Sequence, residues 1–379
     1  MIVLIFFSLH LIVNAYVFWH AYRLFLPRGL AGDALFWLPA LFLLAAFPAA
    51  RLPPELLPPS WRNFLSQVGA WWYGFLFYFA LLFLLGDILR LAAHPWRSRL
   101  CFWSRNPVRG RILALTGCFL VTVLVFYGHH NAGCLVVSRT EVHLPGCGGP
   151  LRRVRIGVAS DIHLGMMNGD STLERVVRAF SRESPDLIVL LGDTVDRHHQ
   201  GVDLDESIKV LSGLAAPLGV YAVLGNHEHL TGLAPSLRFF DSAGIVVLRD
   251  EALLVGESFW LAARDDCSRA WWGEKEIPLA GIVPPETSGC PLVVLDHQPL
   301  GRRVKEAAAV GAGLEICGHI HAGQVSPFEW VVRLFFPYIY GRHQVGTMTL
   351  LVTSGAGCWG PPIRIGNRPE ILLVTLILE

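Results

Sequence analysis

The chain has 379 residues, of which 53% are hydrophobic and 16% are charged, and its mean hydropathy is +0.46. This composition is too apolar for a single soluble domain, and the length allows roughly two domains. The formal net charge of +1 gives no electrostatic basis for binding nucleic acid, so no nucleic-acid partner is expected.

Four apolar runs fill the first third of the chain, each close to the ~17–20 residues that a helix needs to cross a bilayer. The runs have no polar face, which disfavours a soluble helical bundle. No basic segment precedes the first run, which disfavours a cleaved signal peptide. We therefore expect four transmembrane helices within residues 1–130, the second being the least regular because it contains Pro39 and Pro48. The apolar runs are residues 2–19, 34–50, 70–85 and 112–128.

The distribution of arginine predicts the orientation in the membrane. The first and third loops between the runs carry more arginines than the second loop and the stretch after the fourth run. The positive-inside rule places the arginine-rich loops in the cytoplasm, so four spans leave the following domain outside it. Arg152, Arg153 and Arg155 weaken this prediction, and one miscounted span would reverse it. Cys134 and Cys147 are candidates for a disulfide in such a compartment, and unpaired thiols are the equal alternative.

Residues 131–150 are expected to form a linker, and residues 151–379 an α/β domain. In this domain short Val/Ile/Leu runs alternate with amphipathic helices, which favours a layered domain with strands buried on both faces. One helix begins at a capping box of Ser171 and Glu174 and ends at Pro185. A second helix, near residues 235–243, is ended by Gly244. The predicted strands are residues 155–159, 187–191, 220–224, 245–248, 292–295, 314–317, 349–353 and 371–378.

Five of the predicted strands end in polar residues of a similar kind. Ligands of open α/β sheets bind beyond the carboxyl ends of strands, and Asp, Asn and His side chains suit divalent transition metals. The set is too large for one ion and fits two ions that share a carboxylate. The polar ends are Asp161 and His163, Asp193 and Asp196, Asn226 to Glu228, Asp296 and His297, and His319 and His321.

The ordered series DxH, GDxxD, GNHE, a single His and GHxH resembles the calcineurin-like metallophosphoesterase family over residues 150–379. The segments GHIHAGQ at 318–324 and SGAGCWGPPIRIG at 354–366 are similar to its bacterial membrane- or wall-associated branch. Ile320 and Ala322 depart from the usual GHTHGGQ of that branch, and neither is a ligand position. The resemblance implies a four-layer αββα sandwich that follows the membrane region.

The resemblance also implies a role for each polar residue. Asp161, His163 and His321 would hold a first divalent metal, and Asn226, His297 and His319 a second, with Asp193 bridging the two. His227, oriented by Asp196, would protonate or stabilise the leaving group of a phosphate ester. Manganese, iron and zinc all suit such a site.

The remaining polar residues receive ordinary interpretations. His198 and His199 are expected to be solvated, Glu228 and His229 to support the ligands, and Cys317 to be buried in a strand. Arg302 and Arg303 are expected to begin a surface helix, with a contact to substrate phosphate as the alternative.

The substrate is predicted less directly. The apolar stretch 330–340 and the pair Trp271 and Trp272 are either core or a membrane-facing lip that admits a lipid-linked phosphate. Three functions follow: a membrane phosphodiesterase or phosphatase acting outside the cytoplasm, a cytoplasm-facing pyrophosphate hydrolase of the UDP-2,3-diacylglucosamine type, and a catalytically silent membrane scaffold or sensor. The complete ligand set disfavours the scaffold. Membrane lipids are expected partners, and the sequence predicts no oligomeric state.

Overall fold

The computed structural model describes residues 2–25, 29–92, 107–165, 170–196, 204–285 and 289–379. The chain divides into two units. The first comprises Met1–His129 with Gly360–Pro362, and the second comprises His130–Trp359 with Ile363–Glu379.

Within its described residues, the first unit contains four helices that are long and apolar enough to cross a membrane. Each helix is longer than the apolar run from which it was predicted, and the third reaches 34 residues. Pro39 and Pro48 lie inside the second helix and do not end it. Proline is tolerated in membrane helices because neighbouring groups satisfy the freed carbonyls. The helices are α1 (Ile2–Phe25), α2 (Gly29–Ala49), α3 (Pro59–Ala92) and α4 (Pro107–Ala132).

The second unit is built on two six-stranded mixed sheets. The first sheet has the order β1-β12-β2-β3-β4-β5 and the second β10-β11-β9-β8-β7-β6. Strands β2 to β5 are parallel to one another, as are β7, β8, β9 and β11. The strands are β1 (Val136–Leu144), β2 (Arg153–Ala159), β3 (Leu187–Leu191), β4 (Val220–Val223), β5 (Val246–Val247), β6 (Glu251–Val255), β7 (Phe259–Ala263), β8 (Leu292–Leu295), β9 (Leu314–Cys317), β10 (Gly341–Val345), β11 (Met348–Val352) and β12 (Glu370–Leu378).

Helices cover the outer face of each sheet. Leu173, Val176 and Phe180 of α5 form an apolar stripe that packs on the first sheet. Val304 and Ala307 of α9 pack on the second sheet. The remaining helices are α5 (Asp170–Glu183), α6 (Leu204–Leu211), α7 (Asn226–Thr231), α8 (Leu233–Ser242), α9 (Gly301–Ala309) and α10 (Glu329–Val332).

A third apolar cluster lies between the two sheets and joins residues of both, such as Val189 and Val293. The central strands β3 and β8 are therefore buried on both faces, which is why they appear in the sequence as unbroken apolar runs. The order helix, sheet, sheet, helix is the predicted four-layer αββα sandwich.

The expected linker at residues 131–150 is wrong in part, because it contains strand β1. This strand pairs in parallel with β12 over its full length, from Val136 opposite Glu370 to Leu144 opposite Leu378. Strand β1 was not predicted because its middle residues are polar. Polar residues are tolerated there because β1 lies at the edge of its sheet and is only partly buried. Strands β6, β7 and β10 were also not predicted.

The candidate disulfide of Cys134 with Cys147 does not form, and the alternative of an unpaired thiol holds for Cys134. Cys147 forms a disulfide with Cys290, 143 residues later in the chain, and Cys134 is a free thiol. The long separation explains why this pairing was not predicted, because only the folded sandwich brings the two half-cystines together.

Candidate metal centre

The five polar strand ends lie at the carboxyl ends of β2, β3, β4, β8 and β9, and the fold brings their side chains together. Backbone hydrogen bonds join neighbouring loops within each sheet. The His163 N–H donates to the Asp193 carbonyl at 2.9 Å, and the Gly318 N–H donates to the His297 carbonyl at 2.9 Å. These hydrogen bonds fix the positions of neighbouring loops relative to each other without the help of a bound ligand.

Backbone conformation marks the same positions. Five of the seven predicted metal ligands have φ values between +49° and +69°, in the left-handed region that non-glycine residues rarely adopt. Such strain is tolerated only where surrounding structure enforces it, and it concentrates at functional sites. The five residues are Asp161, His163, Asp193, His319 and His321.

The first ligand group consists of Asp161, His163 and His321, whose ligand atoms all lie within 4.8 Å of one another. The Nε2 atoms of the two histidines are 3.0 Å apart, and His321 Nε2 lies 3.5 Å from Asp161 Oδ1. Burial lowers the pKa of His163 to about 4 and that of His321 well below its ordinary value. Both imidazoles are therefore neutral at pH 7, the form that binds a metal.

The second group contains Asp193, His297 and His319, again with ligand atoms within 4.8 Å of one another. His297 Nδ1 lies 2.9 Å from the Leu191 carbonyl, a hydrogen bond that leaves Nε2 to face Asp193 Oδ2 at 3.1 Å. A backbone carbonyl commonly fixes a ligating histidine in this way.

Two buried polar atoms support a metal at the second group. Asn226 Oδ1 and His319 Nδ1 are buried and have no hydrogen-bond partner among the residues that the structure describes. A buried polar atom without a partner costs about 1–3 kcal/mol, and a cation would remove that cost. The donor set of one amide oxygen, one carboxylate and two imidazoles fits a divalent transition metal.

Asp193 lies between the two groups. Its carboxylate is close to His297 and His319 on one side and to His163 on the other. Burial raises the pKa of Asp193, but the surrounding histidines, His297 first, hold it well below its ordinary value. An ionised carboxylate thus lies at the position where two cations would meet.

His227 lies beside the first group and is held by Asp196. Its Nδ1 is 2.9 Å from Asp196 Oδ1, and its ring is 4.7 Å from the ring of His163. Burial lowers the pKa of His227, but the charge of Asp193 and the hydrogen bond to Asp196 outweigh burial and raise it to about 9. One of its nitrogens also lies within 4.8 Å of ligand atoms of His163 and Asp193. The sequence did not indicate that His227 comes this close to the ligands.

Glu228 joins two of the ligand loops. Its buried carboxylate accepts hydrogen bonds from the backbone N–H groups of Asp193, Thr194, Val195 and Gly225, at 2.7 to 3.0 Å. This agrees with the supporting role expected for Glu228 and identifies the groups that it supports.

Two acidic residues that follow β7, Asp265 and Asp266, were not predicted to belong to this region. His229 Nε2 lies 2.8 Å from Asp265 Oδ1, and Asp266 accepts a hydrogen bond from Gln298 Nε2 at 2.9 Å. Gln298 directly follows the predicted ligand His297. A signal was present, because Asp265 and Asp266 follow the apolar run 259–263, the pattern that revealed the other strand ends.

Two arginines also contact the ligand loops. The buried Arg303 donates to Asp296 Oδ2 at 2.6 Å, so the expectation of a surface position is wrong for this residue. Arg364, also buried, has Nη2 at 3.2 Å from Nδ1 of His321 and donates to the carbonyl of Ser354 at 2.7 Å. Only the long-range fold reveals these contacts.

Aromatic residues lie beside three histidines of this region. Ring centroids are 5.6 Å apart for Phe336 and His319, 6.4 Å for Trp359 and His227, and 5.9 Å for Trp272 and His229. The apolar stretch 330–340 is mostly exposed, as are Trp271, Trp272 and Trp359, so core packing does not explain them. His198 and His199 lie outside the described residues.

The family model and the sequence relatives that match this chain are all described as phosphoesterases. Residues 154–323 match the family model described as calcineurin-like phosphoesterase. A protein of Aquifex aeolicus named "Uncharacterized metallophosphoesterase" is 34% identical over 68% of this chain and 98% of its own length. A Danio rerio protein named "Transmembrane protein with metallophosphoesterase domain" is 30% identical over 84% of this chain and 74% of its own length. The solved structure of a dimetal phosphatase from Danio rerio covers 54% of this chain and 88% of its own, with 14% identity and a TM-score of 0.36.

Proposed function

Because the chain belongs to the calcineurin-like metallophosphoesterase family, we propose that it hydrolyses a lipid-linked phosphate ester at a dinuclear metal centre outside the cytoplasm. Membership of the family makes the chain a metal-dependent phosphoesterase. The observation that carries the dinuclear assignment is the position of Asp193, whose carboxylate lies close to ligand atoms on both sides.

The ligands are assigned as two sets that share Asp193. When bound, two divalent cations would neutralise phosphoryl charge and lower the pKa of water for attack on phosphorus. Manganese, iron and zinc all suit the nitrogen and oxygen donors, and metal analysis of the purified protein would identify the ions. The first set is Asp161, His163 and His321, and the second is Asn226, His297 and His319.

His227 is assigned to the leaving group. The hydrogen bond that Asp196 accepts favours the protonated imidazole of His227, which is the form able to donate a proton. Asp196 accepts the hydrogen bond from Nδ1, which leaves the proton on Nε2 for the departing oxygen of the substrate. Asp196 is therefore a positioning residue.

His227→Ala tests this role. The variant should keep its metals and lose about 10²- to 10⁴-fold in turnover on an ester with a poor leaving group. The loss should shrink for p-nitrophenyl esters, since p-nitrophenolate needs little protonation. His143→Ala, at an exposed histidine of β1, is the matched control. An equal loss on both substrates, or a lost metal, would show that His227 is a ligand or a charge stabiliser instead.

The lipid-linked substrate is supported by exposed apolar side chains near the ligands and by four helices apolar enough to cross a membrane. The test is to assay the purified full chain, loaded with metal, on bis-p-nitrophenyl phosphate, lipid phosphates and UDP-linked lipids. Turnover at least as efficient on a lipid ester as on the soluble ester is expected. Turnover of the soluble ester alone would contradict the lipid assignment, and no turnover at all would favour a silent scaffold.

The extracytoplasmic side is supported by the arginine distribution and by the disulfide of Cys147 and Cys290, since disulfides persist in oxidising compartments. A C-terminal alkaline phosphatase fusion should be active, and a fluorescent protein that folds only in the cytoplasm should be dark. The reverse pattern would favour the second candidate, a cytoplasm-facing pyrophosphate hydrolase of the UDP-2,3-diacylglucosamine type. Arg152 and Arg153, both exposed, are the observation in its favour.

A further inference from the structure

A short segment of the second unit exposes large apolar side chains. It is centred on α10 and is here called the apolar lip, residues 328–336. Trp330, Leu334 and Phe335 are each more than 70% exposed. Contiguous exposed apolar residues in a folded protein generally mark an interaction surface. The exposed fractions are 42% for Phe328, 71% for Trp330, 44% for Val331, 78% for Leu334 and 74% for Phe335.

The apolar lip adjoins the metal centre. Phe336 at its end lies with its ring centroid 5.6 Å from that of the ligand His319. At its beginning, the Phe328 N–H donates to the Val325 carbonyl at 2.8 Å, four residues after the ligand His321. Whatever covers the lip therefore lies beside the site where the substrate is hydrolysed.

The apolar lip is also connected to the end of helix α4, whose last residues belong to the second unit. Asn131 is buried, and its side-chain amide donates to the carbonyls of Arg364 and Asn367 at 2.9 and 2.7 Å. In the same loop, the Ile365 carbonyl accepts from the Ser326 N–H at 2.8 Å. Ser326 is two residues before Phe328, so a short series of hydrogen bonds links the helix end to the lip.

These contacts indicate what covers the lip. Helix α4 is one of the four helices apolar enough to cross a membrane, so its end at Ala132 marks where the chain leaves the bilayer. The lip is held close to that point. Its composition of Trp, Phe and Leu, together with the exposed Arg333, is typical of segments that lie in the interface of a bilayer.

We infer that the apolar lip docks into the surface of the bilayer and holds the mouth of the metal centre against the membrane. The lip inserts Trp330, Leu334 and Phe335 among the lipid headgroups and upper acyl chains. Docking requires no particular substrate, and it is tested without turnover, so it stands or fails separately from the proposed function.

The test uses the full chain in vesicles of phosphatidylcholine and phosphatidylglycerol that carry a photoactivatable diazirine on one acyl chain. After illumination, mass spectrometry locates the labelled peptides. Labelling is expected in the four helices, which are the internal control, and in residues 328–336. Peptides with Val246 and Leu254, which are exposed apolar residues elsewhere in the unit, should remain unlabelled. Labelled helices with an unlabelled lip would overturn the proposal.

A pair of variants separates insertion from chance proximity. Leu334→Ser combined with Phe335→Ser changes side chains that are more than 70% exposed, so the fold is retained. Labelling of the lip should fall by roughly tenfold or more. The two substitutions lower the favourable free energy of inserting the lip into the bilayer by more than the ~1.4 kcal/mol that corresponds to a factor of ten. Val246→Ser with Leu254→Ser is the matched control and should leave labelling unchanged. Equal labelling of the lip in both double variants would overturn the proposal.

Discussion

Glu228→Gln provides a strong test of what holds together the loops that carry the predicted metal ligands after β3 and β4. In the folded chain each carboxylate oxygen of Glu228 accepts two backbone hydrogen bonds. Oε2 receives the N–H groups of Asp193 and Gly225, and Oε1 receives those of Thr194 and Val195. Glutamine has nearly the same shape but replaces one oxygen with an NH₂ group, which cannot accept a hydrogen bond. Whichever oxygen is replaced, two buried N–H groups lose their acceptor.

The expected cost follows from those two groups. A buried N–H without a partner costs about 1–3 kcal/mol, so the variant should lose about 2–6 kcal/mol of folding free energy. Domains are stable by only about 5–15 kcal/mol, so this is a large fraction. For a unit of this size, 1 kcal/mol corresponds to roughly 2–4 °C, and the thermal midpoint should fall by roughly 5–20 °C.

The assay is thermal unfolding of the purified full chain in detergent, combined with metal analysis before heating. Metal content should also fall, because Asp193 is a predicted ligand and Gly225 directly precedes Asn226. Glu174→Gln is the matched control, since Glu174 is exposed on α5 and forms a surface ion pair with Arg178. Surface substitutions of that kind usually change stability by less than about 0.5 kcal/mol.

A different outcome would refute the reasoning. If Glu228→Gln melts within about 2 °C of the wild type and retains its metals, then the four hydrogen bonds do not hold the loops together. A lower midpoint with unchanged metal content would separate the two effects, and would confine the role of Glu228 to folding.

Three further predictions concern charge, pH and covalent structure. Asp193→Asn should lower both metal content and hydrolysis, measured together, because it removes the negative charge shared by two cations. Burial raises the pKa of Glu315 from 4.5 to about 8, so the folded chain keeps a proton that the unfolded chain releases, and stability falls as pH rises through this window. The thermal midpoint of Glu315→Gln should therefore exceed that of the wild type by more at pH 8 than at pH 5. Cys147→Ser, which breaks the disulfide to Cys290, should cost about 2–5 kcal/mol in the same unfolding assay.

The predictable part of the fold consists of strands buried on both faces. Residues 187–191, 292–295 and 314–317 were predicted with their observed bounds. The first two are unbroken apolar runs, the third is apolar except for the buried Glu315, and each is followed by a glycine or a polar residue. Burial on both faces requires such a run, so the local sequence alone contains the signal. The positions of the polar strand ends followed from the same runs.

The strands that escaped prediction lie mostly at or near the edges of the sheets. Strand β1 contains Ser138, Arg139, Thr140 and Glu141, and β10 is Gly-Arg-His-Gln-Val. These segments become strands because a long apolar partner, β12 or β11, pairs with them. Their structure is therefore determined by residues distant in the sequence, and local composition gives little indication of it.

The candidate site likewise contains residues that local sequence predicts and residues that depend on distant parts of the chain. The predicted ligands each follow a strand, so a pattern of a few residues was enough to find them. The residues that hold those ligands in place depend on separations of tens of residues, as with Asp266 and Gln298 or His229 and Asp265. Their partners are chosen by how the two sheets pack, which no short motif encodes. A short motif is therefore enough to predict the metal ligands. The left-handed backbone at these residues and the buried groups around them can be seen only in the folded chain.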